Sequence, residues 1–194
     1  MTELVLFHHV LGLTDGVRHL ADRLRAGGHT VHTPDLYGGR TFATIPEGAA
    51  FAEGADGPDL QALADEAVAA LPSGVVYAGI SSGVMQAQRL AQTRTGAAGA
   101  VFLESCLPIT GDWAIGPWPD GVPVQVHGMA EDEFFAKEGD LDAARELVAS
   151  ASDGELFVYP GDAHLFEDDT LPSYDAAATA LLTERVLAFL DRLS

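Results

Sequence analysis

The stretch that decides the fold reads Val75-Val76-Tyr77-Ala78-Gly79-Ile80-Ser81-Ser82-Gly83. Its apolar first half is typical of a strand in a parallel sheet that is covered on both faces. Residues with helical spacing follow at once, among them Met85, Ala87 and Leu90. A Gly-x-Ser-x-Gly pattern at a strand-to-helix turn predicts a nucleophile elbow, in which a strained serine presents its hydroxyl between glycines that leave room for the turn. A short pattern of this kind also occurs by chance or for structural reasons, so the rest of the chain must decide.

Short apolar runs alternate with amphipathic segments along the whole chain. The further runs are Leu4–Phe7, Thr30–Val31, Ala100–Leu103, Val122–Val126 and Leu156–Tyr159. Helical spacing of apolar residues covers 17–24, 60–71, the segment after Gly83, and 182–193. The alternation predicts an α/β fold: one doubly wound domain over residues 1–194, with a mostly parallel sheet and helices on both faces.

The composition restricts the class of partner. With 29 acidic against 10 basic residues, the formal net charge is −19, which disfavours nucleic acid and anionic membrane surfaces. The first residues show no secretory signal pattern, no apolar run reaches the length of a membrane span, and the single cysteine, Cys106, cannot form an internal disulfide. We therefore expect a cytoplasmic protein with a small-molecule partner, and the sequence leaves its oligomeric state open.

A serine nucleophile needs a base, and the base needs an acid that fixes its tautomer. Asp132 follows the run that ends near His127, and His164 follows the run that ends at Tyr159. Both therefore fall at the carboxyl ends of strands, where the ligand sites of open α/β sheets lie. The sequence predicts a triad of Ser81, Asp132 and His164, with Glu131 left open as an alternative acid.

The other reactive side chains carry less signal. His8 and His9 are adjacent, yet no thiolate cluster or spaced ligand motif accompanies them, so no metal site is expected and the predicted chemistry needs no cofactor. Cys106 lacks an elbow and is interpreted as a small buried apolar residue.

On these motifs the sequence resembles the dienelactone hydrolase family, which has the α/β-hydrolase fold. The likeness rests on the elbow and on four further segments: 9–12 (His-Val-Leu-Gly), 34–37 (Pro-Asp-Leu-Tyr), 132–135 (Asp-Glu-Phe-Phe) and 161–166 (Gly-Asp-Ala-His-Leu-Phe). It implies that the backbone amides of Val10 and Ser82 form the oxyanion hole. Two positions depart from the lactone-cleaving members, which carry cysteine where Ser81 stands and glutamate where His9 stands, so the natural substrate is not identified.

The resemblance implies a serine hydrolase that cleaves a small ester or lactone through an acyl-enzyme. The alternative is a non-catalytic binding protein that has kept the fold. Two long connections, 38–58 and 104–121, are expected to wall the pocket. Candidate substrate contacts are His9, Tyr37 and Arg40, with Phe42, Trp113 and Trp118 as further apolar candidates; for His9 the alternative is a purely structural bond to loop backbone.

Overall fold

A six-stranded parallel sheet forms the centre of the protein, in a computed structural model that describes residues 1–194. The strands are β1 (Glu3–Phe7), β2 (Thr30–His32), β3 (Val76–Ile80), β4 (Gly99–Leu103), β5 (Val124–Met129) and β6 (Gly154–Tyr159). They lie in the order β2-β1-β3-β4-β5-β6, and every neighbouring pair is parallel. The predicted fold class is confirmed.

Six helices connect and cover the strands. They are α1 (Asp15–Ala26), α2 (Ile45–Ala52), α3 (Leu60–Ala69), α4 (Val84–Thr93), α5 (Asp140–Ser150) and α6 (Ala176–Arg192). Apolar residues of α1 and α6 share one core with one face of the sheet, whereas those of α3, α4 and α5 share a second core with the other face. None of these helices combines the length and the apolar character needed to cross a membrane.

Alternation along β1 shows how one strand serves both cores. Leu4 and Leu6 belong to the core with α1 and α6, and Val5 and Phe7 belong to the opposite core. All four side chains are at most 1% exposed. Burial on both faces explains why the strands appear in the sequence as continuous apolar runs instead of alternating ones.

Capping residues determine where the helices near the carboxyl edge of the sheet begin. Thr14 accepts a hydrogen bond from the amide of Val17 and so begins α1. Thr44 and Glu47 form a reciprocal capping box that begins α2 inside the long connection 38–58. Such caps contribute about 1 kcal/mol each. The connection is therefore partly helical, whereas residues 104–123 contain no helix or strand.

The strand order places the direction change of the chain between β1 and β3. From β1 the chain moves outward to β2, and it then returns to add β3 on the other side of β1. At such a switch point the loops leaving the two central strands diverge and open a crevice at the carboxyl edge of the sheet. Ser81 directly follows β3 and therefore lies at this edge.

Candidate active site

Ser81 occupies a sharp turn between β3 and α4, as the elbow pattern predicts. Its φ is +49°, a left-handed conformation that is uncommon for serine and costs on the order of 1 kcal/mol or more. A Cβ atom on Gly79 would lie 2.5 Å from the backbone of Gly83, and one on Gly83 would lie 2.5 Å from the carbonyl oxygen of Phe7. Both glycines are therefore required sterically by the turn.

The hydroxyl of Ser81 lies beside an imidazole that is held by a carboxylate. Ser81 Oγ is 2.9 Å from His164 Nε2, and His164 Nδ1 is 2.8 Å from Asp132 Oδ2. Because a carboxylate only accepts, Nδ1 carries the hydrogen and Nε2 is free to accept from the serine hydroxyl. The structure thus brings the three predicted residues together in the order that base-assisted nucleophilic chemistry needs.

Asp132 is fully buried, and both of its oxygens have partners. Oδ1 accepts the amide of Phe134 at 2.9 Å, while Oδ2 accepts from His164. The ring of Phe134 also packs on the imidazole, with 4.6 Å between the ring centroids. Glu131, the alternative acid, is exposed and forms no hydrogen bond or ion pair with His164. The geometry therefore favours Asp132 as the acid.

Backbone bonds tie the loop that carries Asp132 to the loop that carries His164. The amide of Ala130 donates to the carbonyl of Tyr159, and the amide of Glu131 donates to the carbonyl of Gly161, both at 2.9 Å. These bonds extend the β5–β6 pairing beyond the strand ends. The loops that carry Asp132 and His164 are therefore joined by backbone bonds that continue the edge of the sheet.

The predicted oxyanion amides lie on the two segments that meet at the elbow. Gly83 packs against the carbonyls of Phe7 and His8, so the end of β1 adjoins the turn. The amide of Val10 makes no hydrogen bond within the chain. Ser82 stands at the start of the helical turn that leads into α4, where the positive end of the helix dipole favours a developing negative charge. The segments that carry Val10 and Ser82 therefore adjoin the turn at Ser81.

His9 does not face the site, and the structure corrects the expectation that it contacts substrate. Its side chain is fully buried, with Nδ1 accepting the amide of Leu11 at 3.3 Å and Nε2 donating to Asp168 Oδ2 at 3.0 Å. Burial of Asp168 alone would raise its pKa, but hydrogen bonds from His9, Thr14 and Thr170 outweigh burial and hold the pKa below its ordinary value. His9 therefore anchors the first loop to an ionised carboxylate, which is close to its structural alternative.

His8 is the counterpart of His9 on the other side of the strand end. Nδ1 donates to the carbonyl of His9 at 2.7 Å, and Nε2 accepts the amide of Leu36 at 3.2 Å. Burial, as the largest effect, lowers the pKa of His8 to about 4. A neutral imidazole that is bonded at both nitrogens offers no lone pair to a metal ion.

Tyr37 and Arg40 line a cleft of about 730 Å³ between the β2 end and helices α2 and α3. The triad residues are not among those that line it. Tyr37 is itself buried and packs edge-on against His8 and Phe51, so it serves as a wall. Arg40 is exposed, and its guanidinium lies 5.0 Å from the centre of the Phe51 ring.

The other apolar candidates divide into packed and exposed residues. Phe42 is half-buried beside Tyr37 and Phe51. Trp118 is buried, contacts Phe102, and donates from Nε1 to the carbonyl of Val122 at 2.8 Å, so it is a core residue. Trp113 is 89% exposed. Cys106 is buried, as the sequence predicts, and burial raises the pKa of its thiol.

Two buried carboxyl groups near His164 were missed by sequence reasoning. Glu104 Oε2 lies 3.9 Å from His164 Nδ1, and the Glu104 side chain is fully buried. Glu167 is 1% exposed, and neither of its oxygens has a hydrogen-bond partner. For Glu104 the available signal was its place directly after β4, at the same edge of the sheet as the triad. Glu167 gave no signal because it begins a run of three acidic residues, 167–169, which is typical of an exposed loop.

Oxygens of Glu104 and Asp132 and a nitrogen of His164 lie within 4.8 Å of one another, a spacing that a metal ion can bridge. These atoms are already engaged: Glu104 accepts two backbone amides, Asp132 accepts one amide and the imidazole, and His164 Nδ1 carries a hydrogen. A cation there would have to displace the hydrogen bonds that orient the imidazole. The arrangement fits proton transfer between serine and histidine better than metal binding.

Comparison with known proteins identifies the architecture. Residues 119–194 match the model of the dienelactone hydrolase family. Among solved structures, a dienelactone hydrolase-like promiscuous phosphotriesterase from metagenomic libraries has 20% identity and a TM-score of 0.75, covering 100% of this chain and 87% of that one. A Klebsiella pneumoniae protein provisionally described as a dienelactone hydrolase has 20% identity and a TM-score of 0.71, covering 98% and 87%.

An esterase from Thermogutta terrifontis is similar over 100% of this chain and 84% of that one, with 16% identity and a TM-score of 0.69. No curated protein sequence matches the chain. The solved structures establish the fold, and the family match, which begins just before β5, covers the segments that carry Asp132 and His164. The predicted resemblance is confirmed: the chain has the α/β-hydrolase fold, and its part from residue 119 to residue 194 matches the dienelactone hydrolase family.

Proposed function

We propose that this protein is a serine hydrolase that cleaves a small carboxylic ester or lactone through an acyl-enzyme. The observation that carries the proposal is the continuous pair of hydrogen bonds from Ser81 Oγ to His164 Nε2 and from His164 Nδ1 to Asp132. A strained serine with a neutral, oriented imidazole at hydrogen-bond distance is the arrangement that activates a hydroxyl near neutral pH. Ser81 is also partly exposed, so a substrate can reach it.

In the acylation half of the proposed reaction, His164 Nε2 takes the proton of Ser81 as Oγ attacks the carbonyl carbon. The carbonyl π electrons move to oxygen, and the amides of Val10 and Ser82 stabilise that oxyanion. Asp132 stabilises the imidazolium that forms. Collapse of the tetrahedral intermediate breaks the bond to the leaving oxygen, which takes the proton from His164 Nε2. For a lactone, the released hydroxyl stays attached to the acyl group.

Deacylation repeats these steps with water. His164 Nε2 takes a proton from water as the water oxygen attacks the acyl carbon, and a second oxyanion forms at the same amides. Its collapse breaks the bond to Ser81 Oγ, which recovers its proton from His164. The acid product leaves, and the protein returns to its starting protonation state without a cofactor or a redox partner.

The comparisons support the choice of an ester bond. The matching family is named for a lactone-cleaving enzyme, and the similar structures include a phosphotriesterase and an esterase. Residues 1–194 would form one hydrolase domain, since a single sheet bears all the helices. A small-molecule substrate and a cytoplasmic location belong to the same proposal.

In this proposal Arg40, and not His9, contacts the substrate. Arg40 makes no ion pair, is exposed, and lines the cleft beside Tyr37, which the triad residues themselves do not line. A guanidinium in that position would attract a substrate carboxylate. Replacing Arg40 by alanine should then raise KM for esters of dicarboxylic acids more than KM for neutral esters, and an equal effect on both would remove Arg40 from the binding role.

Turnover of a p-nitrophenyl ester by the purified protein tests the proposal. Ser81→Ala should lower kcat by on the order of 10³-fold or more, because the nucleophile is lost while the packing is kept. Ser82→Ala is the matched control: it removes the neighbouring hydroxyl but keeps the backbone amide, and it should retain at least about a tenth of the rate. Wild-type turnover in Ser81→Ala would show that Ser81 is not the nucleophile, whereas no turnover of any small ester by the wild type would favour the non-catalytic alternative.

A further inference from the structure

Glu104 occupies an unusual place at the edge of the sheet. It directly follows β4, its side chain is fully buried, and its φ is +60°. A left-handed glutamate is uncommon and persists only where surrounding contacts stabilise it. Its amide continues the β4–β5 ladder by donating to the carbonyl of His127 at 2.6 Å. The backbone strain therefore aims a carboxyl group inward at a rigid point of the fold.

The Glu104 carboxyl is bound to the segment that immediately follows His164. Oε2 accepts the amide of Leu165 at 2.7 Å, and Oε1 accepts the amide of Phe166 at 3.1 Å. Two adjacent amides thus meet the two oxygens of one planar group, a pairing that fixes orientation as well as distance. Leu165 is itself left-handed, with a φ of +59°, so a second strained residue is held by the same carboxyl.

The other side of His164 is held by a different bond, from the amide of Glu131 to the carbonyl of Gly161. The loop is therefore fixed before and after the imidazole, and Glu104 supplies the fixed point after it. Glu104 Oε2 is also 3.9 Å from Nδ1, which is too long for a hydrogen bond but close to the side of the ring that Asp132 contacts. No step of the proposed reaction uses Glu104 directly.

We propose that Glu104 is a positioning residue: by binding the amides of Leu165 and Phe166 it holds the His164 imidazole between Ser81 and Asp132. This inference rests on the proposed function. A displacement of the imidazole by a fraction of an ångström weakens proton transfer from Ser81 while leaving the substrate surface unchanged. Loss of the Glu104 contacts should therefore lower the acylation rate much more than it changes KM.

Glu104→Gln is the most direct variant, because the amide has nearly the same shape but presents an NH₂ group to one of the two backbone donors. Glu104→Asp is the second variant, which keeps the carboxyl group but is one methylene too short. Glu167→Gln is the matched control, since Glu167 is equally buried in the same region but its oxygens bind nothing. Melting curves of all three variants set an assay temperature at which each is folded.

The measurements are kcat and KM for a p-nitrophenyl ester and the rate of labelling by a fluorophosphonate. For Glu104→Gln we expect kcat and the labelling rate to fall about tenfold or more, with KM within about twofold of wild type. For Glu104→Asp we expect kcat and the labelling rate to fall in the same way. For Glu167→Gln both should stay within about threefold of wild type. If Glu104→Gln does not fold, Glu104→Asp decides alone.

A folded Glu104 variant that is labelled at the wild-type rate would overturn the inference, as would an equal loss in Glu167→Gln, which would mean that any buried carboxyl in this region matters. A lowered melting temperature with unchanged kcat would also overturn it, because that is the behaviour of a purely structural residue. Failure of the proposed function is distinct: in that case the wild-type protein itself is not labelled, or Ser81→Ala is labelled as well.

Discussion

Asp132 accepts the Nδ1 hydrogen of His164 at 2.8 Å, whereas the adjacent Glu131 points into solvent and contributes only its backbone amide. Asp132→Asn should therefore lower kcat by on the order of 10³-fold or more, because the amide stabilises neither the required tautomer nor the imidazolium. Glu131→Gln, the neighbouring control, should change kcat less than about threefold. Steady-state kinetics of the two variants shows which residue is the acid. A large loss of kcat in Glu131→Gln alone would assign that role to Glu131.

Because His9 and Asp168 form a buried pair, we expect replacement of His9 to lower stability and to leave substrate specificity unchanged. In His9→Ala the ionised Asp168 loses one of its donors in a closed site, which should cost on the order of 3 kcal/mol and lower Tm by roughly 10 °C. The ratio of kcat/KM for an anionic and a neutral ester should stay unchanged. His19→Ala, which removes an exposed histidine from the adjacent Asp169, is the control and should have a smaller effect on Tm.

A changed ester ratio in His9→Ala with an unchanged melting curve would contradict this interpretation. Such a result would mean that His9 contacts the substrate, as the sequence alone indicates.

The burial of Glu167 predicts that the free energy of unfolding depends on pH. Burial is the largest cause, and the charges of Asp168 and Asp132 add to it, so the pKa of Glu167 is raised to about 8. The unfolded chain releases this proton near pH 4.5, whereas the folded protein keeps it until about pH 8, so stability falls as pH rises between these values. Glu167→Gln mimics the neutral form and removes that loss.

Melting curves between pH 5 and pH 8 test this effect. The Tm of Glu167→Gln should approach that of wild type at the acid end and exceed it increasingly towards the alkaline end. Glu184→Gln, at an exposed position on α6, is the control and should show a difference that does not vary with pH. A pH-independent difference for Glu167→Gln would show that its carboxyl titrates normally.

The elbow and the order of its partners could be predicted from the sequence because each follows a local rule. Glycines flank a strained serine for steric reasons, and residues after parallel strands gather at one edge, so Asp132 and His164 could be placed without knowing the distances between them. Helices α2 and α5 were not predicted. In α5 the apolar spacing was present, with Leu141, Ala144 and Leu147 buried, but the segment lies among acidic residues.

The side-chain partners could not be predicted, because they depend on pairings between residues far apart in sequence. His9 stands at a strand end like a site residue, and only the position of Asp168, 159 residues later, turns it inward. In the sequence, Glu104 is only the first residue of a long loop. Its role depends on the fold, which brings the amides of Leu165 and Phe166 into contact with its carboxyl group. Rules about strand ends state which residues gather at an edge and leave open which of them face a substrate.

Labelling with a fluorophosphonate, followed by mass-spectrometric location of the adduct, tests most directly whether Ser81 is an activated nucleophile. The phosphonate adduct should form on Ser81, should be absent from Ser81→Ala, and should form on the order of 10³-fold more slowly in Asp132→Asn. A folded wild-type protein that takes up no label, or an adduct on any residue other than Ser81, would contradict the proposed mechanism.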